Sequence, residues 1–255
     1  MTDNHAHEER RRKAIARRIV KYVAVVGVLA LAVAGLAALS NATKLTVPVP
    51  LATEVSEGDW MKGNPEAEVV IVEYSDFQCP ACAAYDPVMA QLVAEYGDRI
   101  LFVYRHFPLK AIHRNATAAA ASAEAAGIQG KFWEMHNILF ANQDMWANLP
   151  DPSTAFEQYA TALGLNMDQY RADYTSKAAK DQVEADYQSG LDANLSSTPS
   201  FFVNDMRLSD NPNGYEPFAA LIEAELAKTS QAPADTEEPA EEADTETVEE
   251  ESVAE

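Results

Sequence analysis

The sequence predicts an α/β domain built on a parallel βαβ unit, interrupted by a run of helices and closed by returning strands. Three observations carry that prediction. Two almost wholly apolar runs, Val69–Asp76 and Ile100–Arg105, flank a helical segment from Pro80 to about Tyr96. Strand, helix and strand within about forty residues imply a right-handed crossover between parallel strands. From about Ile112 to Leu195 the apolar spacing becomes helical, and strand character returns at Ser200-Phe201-Phe202-Val203.

Taken in order, Asn41 to about Gly63 reads as a linker, because Pro48, Pro50, Gly58 and Gly63 interrupt regular structure. The first helix runs into Gly97, and the second strand stops near Pro108. His113–Gly127 is an alanine-rich helix. Lys131–Asn142 carries Phe132, Trp133, Met135, Ile138, Leu139 and Phe140, and should pack inward. Asp151-Pro152-Ser153 opens a further helix that ends at Gly164, and Met167–Tyr174 and Ala178–Leu195 are two more polar ones. Asn204-Asp205 reads as a hairpin turn into Met206-Arg207-Leu208. A last amphipathic helix covers Tyr215 to about Lys228, with Phe218, Leu221, Ile222 and Leu226 on one face.

The chain has 255 residues, a net charge of −21 and 47% hydrophobic residues. Its two ends differ sharply from the middle, which at roughly 180 residues suffices for one well-buried domain. Residues 1–18 form a basic segment, expected in the cytoplasm, and Ile19–Leu39 is almost wholly apolar with Lys21 at its leading edge. As a helix that stretch would extend about 31 Å, matching a hydrocarbon core of about 30 Å. The basic flank predicts a single-pass cell-membrane anchor with its N-terminus inside and the domain outside the cytoplasm. The competing reading is a signal peptide cleaved at Ser40-Asn41-Ala42, but the apolar stretch exceeds a typical signal core. Residues 40–63 would then be the linker, 64–230 the domain and 231–255 a tail. That tail holds eleven acidic residues and no Lys or Arg; it cannot bury enough apolar surface to order itself. Nothing basic outside the N-terminal flank suggests a nucleic-acid partner.

The chemistry concentrates in the only two cysteines, Cys79-Pro80-Ala81-Cys82, at the first strand-to-helix junction. A thiol at a helix N-terminus meets unsatisfied N–H groups and the positive end of the helix dipole, which favour a thiolate. The second thiol lies about one turn on, within reach of an intramolecular disulfide. Pro80 suits the first helical position, where its missing N–H leaves nothing unmet. A structural zinc site would need further ligands, and His5, His7, His106, His113 and His136 offer no short ligand spacing near Cys82. A purely structural disulfide closing so small a loop would constrain the unfolded chain little. Thiol–disulfide exchange is the remaining chemistry. No cofactor is expected beyond a redox-active Cys79–Cys82 disulfide.

Four stretches now point to a family: Ile71-Val72-Glu73-Tyr74-Ser75-Asp76-Phe77-Gln78-Cys79-Pro80-Ala81-Cys82, Tyr104-Arg105-His106-Phe107-Pro108-Leu109, Gly130-Lys131-Phe132-Trp133-Glu134-Met135-His136, and Ser197-Thr198-Pro199-Ser200-Phe201-Phe202-Val203. In kind and order they resemble the DsbA-like thiol oxidoreductases of the thioredoxin superfamily, in their membrane-anchored bacterial form. The resemblance implies a thioredoxin fold in two parts, about 64–109 and 197–228, with a helical domain inserted at about 110–196.

It also implies roles. Glu73, six residues before Cys79, falls where such proteins keep a buried acid beneath the disulfide, able to relay a proton for the deeper thiol Cys82. A carboxylate inside an apolar strand is costly without a task, and burial would raise its pKa. Thr198-Pro199 matches the cis-proline loop that faces the C-x-x-C pair and, with Pro80 and Ala81, receives an extended substrate peptide. Cys79 would be the exposed, acidic thiol and Cys82 its buried partner. The implied substrates are reduced or unfolded secreted proteins, and the implied reoxidant is a membrane quinone-linked partner of DsbB or VKOR type. Strongly oxidising members often carry His between the cysteines, so Pro80-Ala81 predicts a less oxidising potential. The alternatives are an extracytoplasmic disulfide reductase or isomerase, and a redox-inactive chaperone or peptide-binding module.

Overall fold

A five-stranded sheet, ordered β1-β3-β2-β4-β5, forms the centre of the computed structural model, which describes residues 50–229. β2 (Val69–Ser75) and β3 (Ile100–His106) run parallel and are joined by α1 (Pro80–Tyr96). β1 (Trp60–Gly63) flanks β3, and β4 (Ser200–Val203) flanks β2, both antiparallel. A two-residue strand, β5 (Met206–Arg207), closes the far edge.

β2 and β3 are apolar along their length because helices cover both faces of the sheet. On one face Val69, Ile71, Phe102 and Phe201 pack with Met89 and Leu92 of α1 and with Phe218 and Ile222 of α8 (Tyr215–Thr229). On the other face Val72, Tyr74, Val103 and Phe202 pack with Phe107, Ala193 and Leu195.

Between β3 and β4 the chain forms the helical lobe: α2 (Ala116–Gly127), α3 (Phe132–Ala141), α4 (Gln143–Trp146), α5 (Ser153–Ala162), α6 (Met167–Tyr174) and α7 (Lys177–Asp192). Alanines of α2 let α3, α6 and α7 approach closely around Phe132, Met135, Leu139, Trp146 and Phe156. α7 also packs over the sheet, where a Cβ on Gly190 would stand 2.5 Å from the Phe107 ring and 3.2 Å from that of Tyr74.

Three boundaries depart from the sequence reading. The segment read as linker contains β1, so the domain begins before residue 64; Trp60 stacks on Phe132 at 4.1 Å and donates to Glu124 at 2.6 Å, contacts invisible to local breaker residues. α2 starts at Ala116 rather than His113, because Leu109 O accepts from Ile112 and His113 in a turn. α4, a helix of four residues, is too short to show a period.

The basic segment 1–18, the anchor 19–39, linker residues 40–49 and the tail 231–255 lie outside the described residues. No helix among the described residues is long and apolar enough to cross a membrane.

Candidate functional site

The site forms where β2 gives way to α1. Asp76, fully buried at its side chain, organises the turn: its carboxylate accepts from the Gln78 N–H at 2.7 Å and the Leu109 N–H at 2.8 Å, and lies 2.7 Å from His113 Nδ1. Its carbonyl accepts from the Cys79 N–H at 3.0 Å. Cys79 is then the N-cap of α1 in extended conformation, with Pro80 in the first helical position. Its side chain makes no cap hydrogen bond, which leaves the first-turn N–H groups facing the thiol.

Both cysteines are free thiols. Cys79 is 7% exposed and Cys82 fully buried, while Pro80 and Ala81 between them are exposed. The neighbouring Cys82 thiol, with Thr198 and the backbone N–H groups of Cys82 and Ala81, holds Cys79 at about 5 against the opposing effect of burial. Cys82 is pushed well above the ordinary thiol range by burial, and further by Cys79 and Glu73. Cys79 is thus buried rather than exposed as expected from sequence, because the Thr198 loop covers it, yet the pair still contains an acidic thiol and a reluctant one beneath it, the division that exchange chemistry needs.

The facing wall is the loop before β4. The Thr198–Pro199 peptide is cis, and the Cys79 thiol donates to the Thr198 carbonyl at 3.5 Å. Asn211 donates to the Pro199 carbonyl at 2.8 Å. The Thr198 hydroxyl is buried without a hydrogen-bond partner.

Glu73 lies in the middle of β2, paired in register with Tyr104 on one side and Phe201 on the other. Burial raises its pKa to about 8. It borders a narrow cleft of about 20 Å³ shared with Lys62, Asp86, Trp133, His136 and Asn137. Burial makes each of these ionisable groups reluctant to charge: Lys62 is lowered, Asp86 raised, and His136 brought down to about 3. The Lys62 ammonium sits 4.2 Å from the centre of the Trp133 ring.

Of the seven residues singled out from sequence, Cys79, Pro80, Ala81 and Cys82 form the helix start, the Thr198–Pro199 loop faces Cys79, and Glu73 raises the Cys82 thiol from the adjoining strand while lining the cleft. Four neighbours were missed. Asp86 lies four residues beyond Cys82 in the same helix, so helical spacing alone would have placed it on that face. Lys62 could not be found, because its strand was read as linker. His136 sits in a quoted motif that carried no assigned role. Gln143 belongs to α4, which has no periodic signature; its side-chain amide donates to the carbonyls of Phe77 and Cys79. Among the described residues no cluster of His, Cys, Asp and Glu could hold a metal ion.

Comparison with known proteins follows this geometry. A thioredoxin family matches residues 55–224, about two-thirds of the chain. The chain belongs to the thioredoxin family. Its fold is that of the DsbA-like oxidoreductases: α-DsbA1 of Wolbachia pipientis superposes with a TM-score of 0.61 at 21% identity, covering 69% of this chain and 94% of that one. Oxidised BdbD of Bacillus subtilis superposes with 0.61 at 21% identity, over 70% and 98%. The catalytic domain of Proteus mirabilis ScsC gives 0.57 at 16%, over 69% and 93%.

Among curated proteins the chain is 39% identical over 155 residues to Na(+)/H(+) antiporter NhaA 1 of Mycobacterium sp. strain KMS, covering 59% of this chain and 24% of that protein. It is 35% identical over 181 residues to Na(+)/H(+) antiporter NhaA 3 of Salinispora tropica, covering 71% and 27%. The chain therefore spans about a quarter of the length of the curated relatives it matches.

Proposed function

We propose that this thioredoxin-family protein is an extracytoplasmic thiol–disulfide oxidoreductase that passes a Cys79–Cys82 disulfide to reduced secreted or surface proteins. The observation that carries the reading is the geometry of the pair: Cys79 caps α1 and faces the cis Thr198–Pro199 loop at 3.5 Å, with Cys82 fully buried behind it.

The steps balance as follows. A client thiolate attacks the Cys79 sulfur of the disulfide, forming a client–Cys79 bond and releasing Cys82. Glu73, largely protonated near neutral pH, supplies the proton that Cys82 takes up. A second client thiolate attacks the client's own sulfur, the client disulfide forms, and Cys79 leaves as a thiolate. Two electrons have moved from client to enzyme. A membrane quinone-linked protein of DsbB or VKOR type would remove them and restore the disulfide. Thr198, Pro199, Pro80 and Ala81 form the walls against which an extended client would lie.

The apolar run 19–39 behind a basic flank supports an anchored domain outside the cytoplasm, where disulfides persist. The curated relatives are antiporters by name, which fits a thiol domain working beside a membrane. A reductase is the second reading, favoured by Pro80-Ala81 in place of a His-containing pair.

The test is Cys82→Ser in the native membrane, which cannot resolve the mixed disulfide on Cys79. Recovery of secreted clients that are disulfide-bonded in wild-type cells supports the oxidase. Recovery only of reductive partners, or an equilibrium potential near −270 mV, the reducing end of the superfamily, overturns it in favour of the reductase.

A further inference from the structure

One uncharged side chain of the helical lobe reaches the backbone of the reactive turn at two points. Gln143, at the start of α4, directs both hydrogens of its amide at the turn: Nε2 donates to the Phe77 carbonyl at 2.7 Å and to the Cys79 carbonyl at 3.1 Å. The Cys79 carbonyl also accepts the Ala83 N–H at 3.1 Å, the bond that closes the first turn of α1. We propose that Gln143 is a positioning residue for the reactive thiol, its amide fixing the Cys79 peptide so that the first-turn N–H groups stay aimed at the sulfur. This inference rests on the reading of Cys79 as the exchanging thiol.

Two physical effects act in the same direction. The first is geometric. A carbonyl held by two donors cannot rotate freely, and the peptide on which it sits sets the direction of the Ala81 and Cys82 N–H groups that favour the thiolate. The second is electrostatic. The oxygens of Phe77 and Cys79 carry partial negative charge close to the sulfur, and a donor on each offsets part of it.

The amide itself does not drift. Trp146, fully buried at the other end of α4, donates to the Leu139 carbonyl at 2.8 Å. Gln78, next to Cys79, donates to the Ala147 carbonyl at 2.8 Å and accepts from the Asn115 N–H at 2.8 Å. Asn115 Nδ2 donates to the Ala147 and Leu149 carbonyls at 3.0 and 2.9 Å. Every side chain in these latches is uncharged at all working pH values. A change in the Cys79 titration on removing Gln143 therefore cannot pass through the titration of a latch partner.

The experiment follows thiolate absorbance against pH in the reduced full-length protein. Gln143→Met keeps the length and removes both donors; Gln143→Glu keeps the shape and turns the donor into an acceptor once ionised. Gln129→Met is the control, because Gln129 exchanges hydrogen bonds with Asn166 inside the lobe, away from the turn. The expected result is a Cys79 acid constant about three- to tenfold weaker in Gln143→Met, the size of one or two lost hydrogen bonds. It should be weaker again in Gln143→Glu and unchanged in Gln129→Met. Wild-type titration by either folded Gln143 variant overturns the proposal, as does an equal shift in Gln129→Met. A wild-type midpoint near 9, by contrast, overturns the exchanging-thiol reading and is seen before any variant is made.

Discussion

Glu73 and Tyr104 stand opposite one another in register on the two parallel strands, both buried, and burial drives both acids toward their neutral forms. The Tyr104 hydroxyl has no hydrogen-bond partner. A carboxyl in such surroundings ionises late, at about 8.

That relationship makes stability depend on pH with a definite sign. Between the ordinary value of 4.5 and about 8, the folded chain holds a proton that the unfolded chain has lost. Stability falls as pH rises through that window, and the penalty is complete above 8. Glu73→Gln removes it, so urea unfolding should favour the variant at pH 8.5 by on the order of 5 kcal/mol, with little difference at pH 4. The same variant should slow the steps that protonate or deprotonate Cys82 by at least about tenfold. Equal pH dependence in the two proteins would contradict the buried-acid assignment.

Thr198 carries the second prediction. Its hydroxyl is buried without a partner while Cys79 is a thiol, which leaves it free to donate to a thiolate. Thr198→Val should raise the Cys79 titration midpoint from about 5 by roughly one unit, the worth of one hydrogen bond to a charged group. In the wild type, stabilisation from the thiolate is complete above the ordinary value of 9 and is lost as pH falls through about 5. The melting temperature of the reduced form should therefore rise relative to the oxidised form across that window. A flat difference would refute the depressed thiol.

The close passage of α7 over the sheet gives a third. A methyl on Gly190 would stand 2.5 Å from Phe107, inside van der Waals contact. Gly190→Ala should cost about 1–3 kcal/mol by overpacking, read as a lower urea midpoint at unchanged slope. An unchanged midpoint would mean that α7 can lift.

The fourth concerns the chain entering the sheet. Arg105, 3% exposed at its side chain, donates to Asp59 at 2.7 Å through Nε and at 3.0 Å through Nη2, and to the carbonyls of Thr53 and Glu54. Asp59→Ala leaves that guanidinium buried and half satisfied, which should destabilise by about 3 kcal/mol. Limited proteolysis should then cut within residues 50–59 while the rest of the domain survives; wild-type resistance would show that the clamp is dispensable.

Much of this architecture was written locally. The apolar runs of β2, β3 and β4 announced a buried sheet, and Gly97, Gly164 and the Asn204-Asp205 turn marked element ends correctly. The cysteines identified themselves by spacing at a strand-to-helix junction. What stayed hidden depends on distant partners. β1 is a strand because β3 and Trp133 are there to receive it: Met61 pairs with Val103, and its carbonyl accepts from Trp133 at 3.2 Å. Lys62, Asp86 and His136 matter because the fold brings three separate elements around one cleft. Gln143 lies on a helix too short for any period to show. Thr198 and Pro199 were located only through resemblance, since a proline before a strand is otherwise unremarkable.

The separation of Cys79 from its facing loop has a consequence during synthesis. Their contact joins positions 119 apart in the chain, with the whole helical lobe made in between. Until β4 emerges, β2 lacks one neighbour and the thiols have no opposing wall. Such late, non-local pairing slows folding and leaves intermediates exposed. A nascent or truncated chain that stops within the lobe would present both thiols, one long apolar edge and no loop to govern them. The element that completes the site is thus also the last to arrive: an unfinished copy would carry two thiols and no facing wall.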